Sequence, residues 1–249
     1  MPLDVPFAIL AKIRNAHRIV VSTGAGMSAE SGVPTFRDAQ TGLWERFDAE
    51  SLATPQAWAA DPALVWAWYQ WRAHLVRSVQ PNAGHRALAR WARVADVAVV
   101  TQNVDDLHER AGSSVAAHLH GSLFAPRCSG CGEPAQVPDP LAVEVTHLPP
   151  PPCALCGAPV RPGVVWFGEE LPYEPWRCAV AAVEACDLLL VVGTSSIVYP
   201  AAGLPALARA AGAAVVEINP QPTDLTDQVD HSWQTTAAIG LPALVAQLL

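Results

Sequence analysis

The chain has 249 residues, is 51% hydrophobic and 15% charged, and carries a formal net charge of −8. That length suits one α/β domain, or one large domain with a small insert, and the charge content is too low for a disordered chain. Lys12 is the only lysine and no basic stripe is visible, so a direct nucleic-acid ligand is not expected and a basic peptide or protein is the more natural partner.

The segment Met1-Pro2-Leu3-Asp4-Val5-Pro6 has no basic region leading into a long apolar run. No stretch has about 18 uninterrupted apolar residues, so no signal peptide or membrane span is expected, and the cytoplasm is the default location. The first strong strand is Arg18–Thr23, and it runs straight into Gly24-Ala25-Gly26-Met27-Ser28-Ala29. A strand, a glycine turn and a helix opening form a phosphate-cradling arrangement, with Ala29 an allowed variant of the third glycine. The same fingerprint calls for an acid about 20 residues on to hold a ribose. Glu45 and Asp48 are in range but sit in a helical segment and end no second strand. This argues against a hydride-transfer dehydrogenase and for a dinucleotide lying in another orientation. Its far end would then meet the loop Ser31–Asp38, where Phe36 offers a ring and Arg37 a cation.

From about residue 38 to 92 the pattern is helical and rich in tryptophan (Trp44, Trp58, Trp66, Trp68, Trp71, Trp91). Within it, Tyr69 and Arg72 stand at i and i+3 and share one face, where a phenol and a guanidinium together suit a carboxylate guest. Apolar runs at Val97–Thr101, Leu188–Gly193 and Val215–Asn219 read as further buried parallel strands. The first of these runs ends in Thr101-Gln102-Asn103-Val104-Asp105. Its amides and carboxylate can hold a carboxamide and ribose hydroxyls, although a capped helix start reads equally well. His120, before Gly121, is the best general-base candidate, since an imidazole titrates near neutral pH. His118, two residues earlier, is expected to point the other way.

Cysteine usage is the strongest isolated signal. Cys128-x-x-Cys131 and Cys153-x-x-Cys156 offer four thiolates to one Zn²⁺ in a closed tetrahedral site that stabilises the fold and does not activate water. Cys178 and Cys186 fall on an apolar helical stretch and are expected to be buried structural thiols. The fold class implied is α/β: a Rossmann-like parallel sheet with helices on both faces, plus a helical insert at about 38–92 and a small zinc-binding module. The expected boundaries are 1–122 and 160–249 for the nucleotide-binding domain and 123–159 for the module.

In order and spacing, GAGMSAESGVPTFRD, TQNVDDLH, HGS, the paired CxxC, RPGVVWFGEELP, GTSSIVYP and EINP resemble the sirtuin family of NAD-dependent protein lysine deacylases, over nearly the whole chain. The resemblance implies NAD as a consumed co-substrate, structural Zn²⁺ and acyl-lysine proteins or peptides as partners; no nucleic-acid or membrane partner is expected, and a monomer is. It implies His120 as catalytic base, with Asn103 and Asp105 in the catalytic loop. Cofactor contacts would come from Gly24, Ala25, Gly26, Thr35, Phe36, Arg37, Gln102, Asn103, Asp105, Gly193, Thr194, Ser195 and Asn219, with Ala237 or Ala238 near the adenine. Val165, Trp166, Phe167 and Gly168 match the strand that pairs with a substrate's main chain. Tyr69, Arg72 and Ala53 resemble the acyl pocket of the subgroup that removes succinyl, malonyl and glutaryl groups, and Thr35 fits that subgroup too. The implied products are free lysine, nicotinamide and 2'-O-acyl-ADP-ribose. A protein ADP-ribosyltransferase and a non-catalytic NAD-binding zinc scaffold remain alternatives.

Overall fold

A computed structural model describes residues 4–35, 42–45, 47–140 and 142–249. Its strands are β1 (Arg18–Thr23), β2 (Asp96–Thr101), β3 (Val115–His118), β4 (Gly121–Cys128), β5 (Val160–Val164), β6 (Leu188–Val192), β7 (Ala214–Asn219) and β8 (His231–Gln234). Six of them form one parallel sheet in the order β3-β2-β1-β6-β7-β8. The four strands legible in the sequence are its centre, where apolar β-branched and leucine runs are buried on both faces. The edge strands, VAAH and HSWQ, are short and carry little of that signal. β4 and β5 pair antiparallel as a separate two-stranded sheet.

The helices are α1 (Phe7–Asn15), α2 (Gly26–Ala29), α3 (Ala49–Leu52), α4 (Pro55–Ala60), α5 (Pro62–Ser78), α6 (Ala83–Trp91), α7 (Leu107–Ala111), α8 (Tyr173–Glu184), α9 (Leu204–Ala210) and α10 (Ala237–Ala246). Their starts follow local chemistry. Asp48, which the ribose fingerprint had brought into range, caps α3 by accepting from Ser51 N at 2.8 Å. Thr54 and Asp61 cap α4 and α5, each followed by proline at the first helical position. Asn82 Oδ1 accepts from the N–H groups of Gly84 and His85 at the start of α6.

Side chains alternate across the sheet, as a two-residue period requires. Val21 and Leu190 pack with Ile9, Leu88 and Leu244 of α1, α6 and α10. Val20, Leu189 and Val191 pack on the other face with Val183, Leu204 and Ala208 of α8 and α9. A third core joins Trp44, Trp68, Tyr69 and Trp71 to Val164 and Trp166. Helix α6, at the end of the tryptophan-rich segment, sends Ala87, Leu88 and Trp91 into the sheet's core and not into this third one. The cysteine-bearing segment has a small core, Cys128, Cys153 and Val160 against Trp66. Cys178 departs from expectation in being only half-buried on α8; Cys186 is buried as expected but lies beyond the helix end, before β6. Among the described residues, no helix is long and apolar enough to cross a membrane.

Strand order reverses between β1 and β6, so the crevice beyond their C-terminal ends is where an open α/β sheet holds a ligand. Backbone bonds close this point tightly: Gly24 N–H donates to Val192 O at 3.0 Å and Gly26 N–H to Gly193 O at 2.7 Å.

Candidate active site

The glycine turn requires glycine because backbone passes backbone at the crevice. A Cβ at Gly24 would lie 2.7 Å from Thr194 Cβ, and one at Gly26 would lie 2.8 Å from Gly193 Cα. Gly193 itself has a φ of 61°, a conformation costly for other residues. The segments Gly24–Gly26 and Gly193–Ser195 thus meet at the switch point. Gln102 joins them, its Nε2 donating to Thr194 Oγ1 at 3.3 Å.

The loop after β2 is organised from inside. Thr101 Oγ1 accepts from Asn103 N at 3.0 Å. Asn103 Nδ2 donates to Ser28 Oγ at 3.2 Å, and Ser28 donates onward to Asp105 Oδ2 at 2.8 Å. Asp105 Oδ1 accepts from Leu107 N. Burial pushes the Asp105 carboxyl above its usual range, against the pull of the Leu107 and Ser28 bonds. Ser28 lies more than seventy residues away in sequence from both partners, so no spacing rule could have singled it out.

His120 lies in the turn between β3 and β4, with Nδ1 3.0 Å from Gln102 O. A carbonyl can only accept, so Nδ1 carries the hydrogen and Nε2 keeps a lone pair. Burial lowers the His120 pKa, outweighing the Gln102 bond, so the ring is neutral near pH 7. His118 does not turn away from this loop. Its Nδ1 lies 3.2 Å from Asn103 O, so the two rings address successive carbonyls, and its Nε2 is 2.6 Å from Glu109 Oε1. Burial lowers the His118 pKa, but the Glu109 contact outweighs it and the net shift is upward.

Hydrogen bonds tie several of the expected substrate residues to one another and to the His120 main chain. Val165 N–H donates to His120 O and Phe167 N–H to Ala53 O, both at 2.9 Å. Trp166 is buried, and its Nε1–H donates to the Tyr69 hydroxyl at 3.1 Å. Tyr69 and Arg72 are buried on one face of α5, at 3% and 6% exposure. Burial raises the Tyr69 pKa and lowers that of Arg72, and each charge partly counters the shift of the other. The tight turn at Gly168 has a φ of 88°.

Phe36 and Arg37 lie outside the described residues, and Thr35 is the last described residue before them. Asn219 ends β7, and its Nδ2 donates to Gln221 O at 2.8 Å. The Ala237 side chain is sunk in the core under α10, while the neighbouring Ala238 N–H donates to Glu30 Oε2 at 3.2 Å.

Cys128, Cys131, Cys153 and Cys156 bring their sulfurs within 4.8 Å of one another. The Sγ–Sγ distances are 3.4 Å for Cys128–Cys156 and 3.8 Å for Cys131–Cys153. Tetrahedral zinc with Zn–S bonds of about 2.3 Å sets sulfurs roughly 3.8 Å apart, so the set fits Zn²⁺. The N–H groups of Gly130 and Cys131 point at Cys128 Sγ, and that of Leu155 points at Cys153 Sγ. Those of Cys131 and Gly130 help hold the Cys128 thiol down to about 6, toward the thiolate a metal needs.

A parallel nucleotide-binding sheet, a neutral histidine at its switch-point crevice and a four-cysteine metal module define a zinc-stabilised, dinucleotide-using α/β protein. The Sir2 family pattern matches residues 24–200. The NAD-dependent protein deacylase of Mycobacterium tuberculosis is 55% identical over 236 residues, covering 93% of this chain and 98% of that protein. The NAD-dependent protein deacylase of Methylococcus capsulatus is 51% identical over 246 residues, covering 96% of each. A crystal structure of a Sir2 homologue–NAD complex superposes with a TM-score of 0.91 at 44% identity, covering 99% of this chain and 95% of that one. The chain belongs to the Sir2 family.

Proposed function

We propose that this protein is an NAD-dependent protein lysine deacylase whose acyl slot takes succinyl and malonyl as well as acetyl groups. The relatives named NAD-dependent protein deacylase support the broad activity. The observation that carries the acidic-acyl part is the buried pair Tyr69 and Arg72 beside Ala53 and Trp166.

NAD supplies a ribose carbon made reactive by its cationic nicotinamide leaving group. The chain's part is to bind, orient and move a proton. The glycine-lined junction of Gly24, Gly26 and Gly193 lets a pyrophosphate approach main chain closely. Thr194, Ser195 and Asn219 offer polar groups for ribose and phosphate. Asn103 and Asp105, tied through Ser28, hold the carboxamide and ribose hydroxyls near His120. His120 Nε2 takes the proton from a ribose hydroxyl, while the Gln102 carbonyl keeps the other ring nitrogen protonated. The stretch Val165–Gly168 lies where a peptide main chain would run, and pairing of that kind tolerates many sequences. Its Val165, Trp166 and Phe167 N–H groups are already engaged within the chain, so pairing falls to its other main-chain groups. The four cysteines hold Zn²⁺ away from the chemistry. Free lysine, nicotinamide and 2'-O-acyl-ADP-ribose are the products of this reading.

The test is to incubate the protein with NAD and matched acetyl-, succinyl- and malonyl-lysine peptides and weigh the products. Nicotinamide release with free lysine and acyl-ADP-ribose is expected for all three. Transfer of ADP-ribose to protein, or no NAD turnover, would overturn the reading.

A further inference from the structure

Trp166 belongs to the candidate peptide stretch and turns its side chain to the candidate acyl slot, where its role is set by which way a proton points. The indole N–H donates to the Tyr69 hydroxyl at 3.1 Å, with both side chains almost wholly buried. An indole nitrogen donates and cannot accept, whereas a phenol has one proton to give and two lone pairs. The Tyr69 proton therefore cannot turn toward Trp166. Nor can it be given to Arg72, one helical turn along α5 on the same face, because a guanidinium also lacks an acceptor. Among the described residues the Trp166 bond is the hydroxyl's one hydrogen bond. A buried donor held between two donor-only groups is unfavourable until an acceptor arrives. The acceptor that suits a phenol proton beside a guanidinium is an anionic oxygen.

The indole is fixed from two sides. Arg161 lies over its ring at 3.4 Å. The same guanidinium donates to both oxygens of Glu169, at 2.6 and 2.9 Å, and to Val164 O at 3.2 Å. Glu169 Oε2 also accepts the main-chain N–H of Trp166 at 2.8 Å. Ring plane and backbone are thus held by one ion pair, which leaves the indole little freedom to swing its N–H off Tyr69.

We propose that Trp166 is a specificity-positioning residue: clamped by Arg161 and Glu169, its N–H turns the Tyr69 hydroxyl so that its proton faces the carboxylate end of an acidic acyl group. The proposal rests on the acidic-acyl reading above and adds the group that orients it.

The experiment compares kcat/KM for succinyl- and acetyl-lysine versions of one peptide and reads their ratio. Trp166→Phe keeps an aromatic ring and removes the N–H; the ratio falls about tenfold, mainly through KM for the succinyl peptide. Tyr69→Phe lowers the ratio as well. In the double variant the ratio falls no further than in Tyr69→Phe, because the N–H then has nothing to orient. Glu169→Gln loosens the clamp from outside the slot and lowers the ratio severalfold, again only when Tyr69 is present. This second variant carries the test if Trp166→Phe does not fold. A ratio unchanged in folded Trp166→Phe and Glu169→Gln, or losses that multiply in the double variant, overturns the proposal while the acidic-acyl reading stands. A wild-type protein that cannot turn over the succinyl peptide overturns both.

Discussion

His120 donates its Nδ1 hydrogen to the Gln102 carbonyl across 3.0 Å, and that single bond decides which ring nitrogen can act as a base. The two residues lie 18 positions apart, and the bond forms because β2 and β3 end side by side in the parallel sheet.

His120→Ala is expected to lower NAD-dependent deacylation by about a hundred- to ten-thousandfold, the range for loss of a positioned base. NAD should still bind, since none of the glycine and hydroxyl groups at the β1–β6 junction changes. Mass spectrometry of the peptide and calorimetric titration with NAD check the two halves, and unchanged turnover would remove His120 from the chemistry.

The same residue predicts the acid limb of the pH profile. Burial lowers its pKa below the ordinary 6.5, so the neutral, proton-accepting form persists below that pH. The kcat/KM should climb with pH through a midpoint under 6.5 and be level by neutral pH. A midpoint above 7 in an initial-rate series would contradict the burial argument.

Arg72→Met retains most of the apolar stem and removes the buried charge beside Tyr69. Desuccinylation should fall about ten- to a hundredfold more than deacetylation, the worth of roughly 1.5–3 kcal/mol for a charge-assisted bond. Equal losses on matched peptides would argue that Arg72 only supports the helix.

Cys128→Ser removes one of four sulfurs gathered around a common centre. The protein should lose bound zinc by elemental analysis and melt at a lower temperature, because the small core of this segment is built from Cys128, Cys153, Val160 and Trp66. A metal-free variant with the wild-type melting point would rule out a stabilising role.

Two buried histidines make stability pH-dependent. The rings of His85 and His108 meet edge to face at 4.8 Å behind the site. Burial pushes their pKa values down from 6.5, to about 4 and about 3 respectively. The unfolded chain takes up these protons below pH 6.5 and the folded chain does not, so the stabilisation is complete above 6.5 and is lost progressively as pH falls toward 3–4. Between pH 7.5 and 5.0, urea unfolding should show a loss of about 2 kcal/mol for each histidine. A free energy of unfolding that holds constant over that interval would mean the rings are more solvated than their burial indicates.

Much of this protein can be read from its residues alone. The runs at 18–23, 97–101, 188–193 and 215–219 announce central parallel strands because residues buried on both faces must be apolar throughout, and the CxxC pairs announce a metal because two close thiolates need little else nearby. Both signals are local. The edge strands β3 and β8 escaped notice because a strand with one covered side and few residues leaves only a faint pattern. Tertiary structure alone decided the rest: that Ser28 ties Asn103 to Asp105, that His118 faces the same loop as His120, and that Arg161 and Glu169 clamp the indole above Tyr69. Most of these pairings join residues far apart along the chain. Hydrogen bonds read distance and angle, not sequence separation, so their partners exist only once the sheet has brought the loops together.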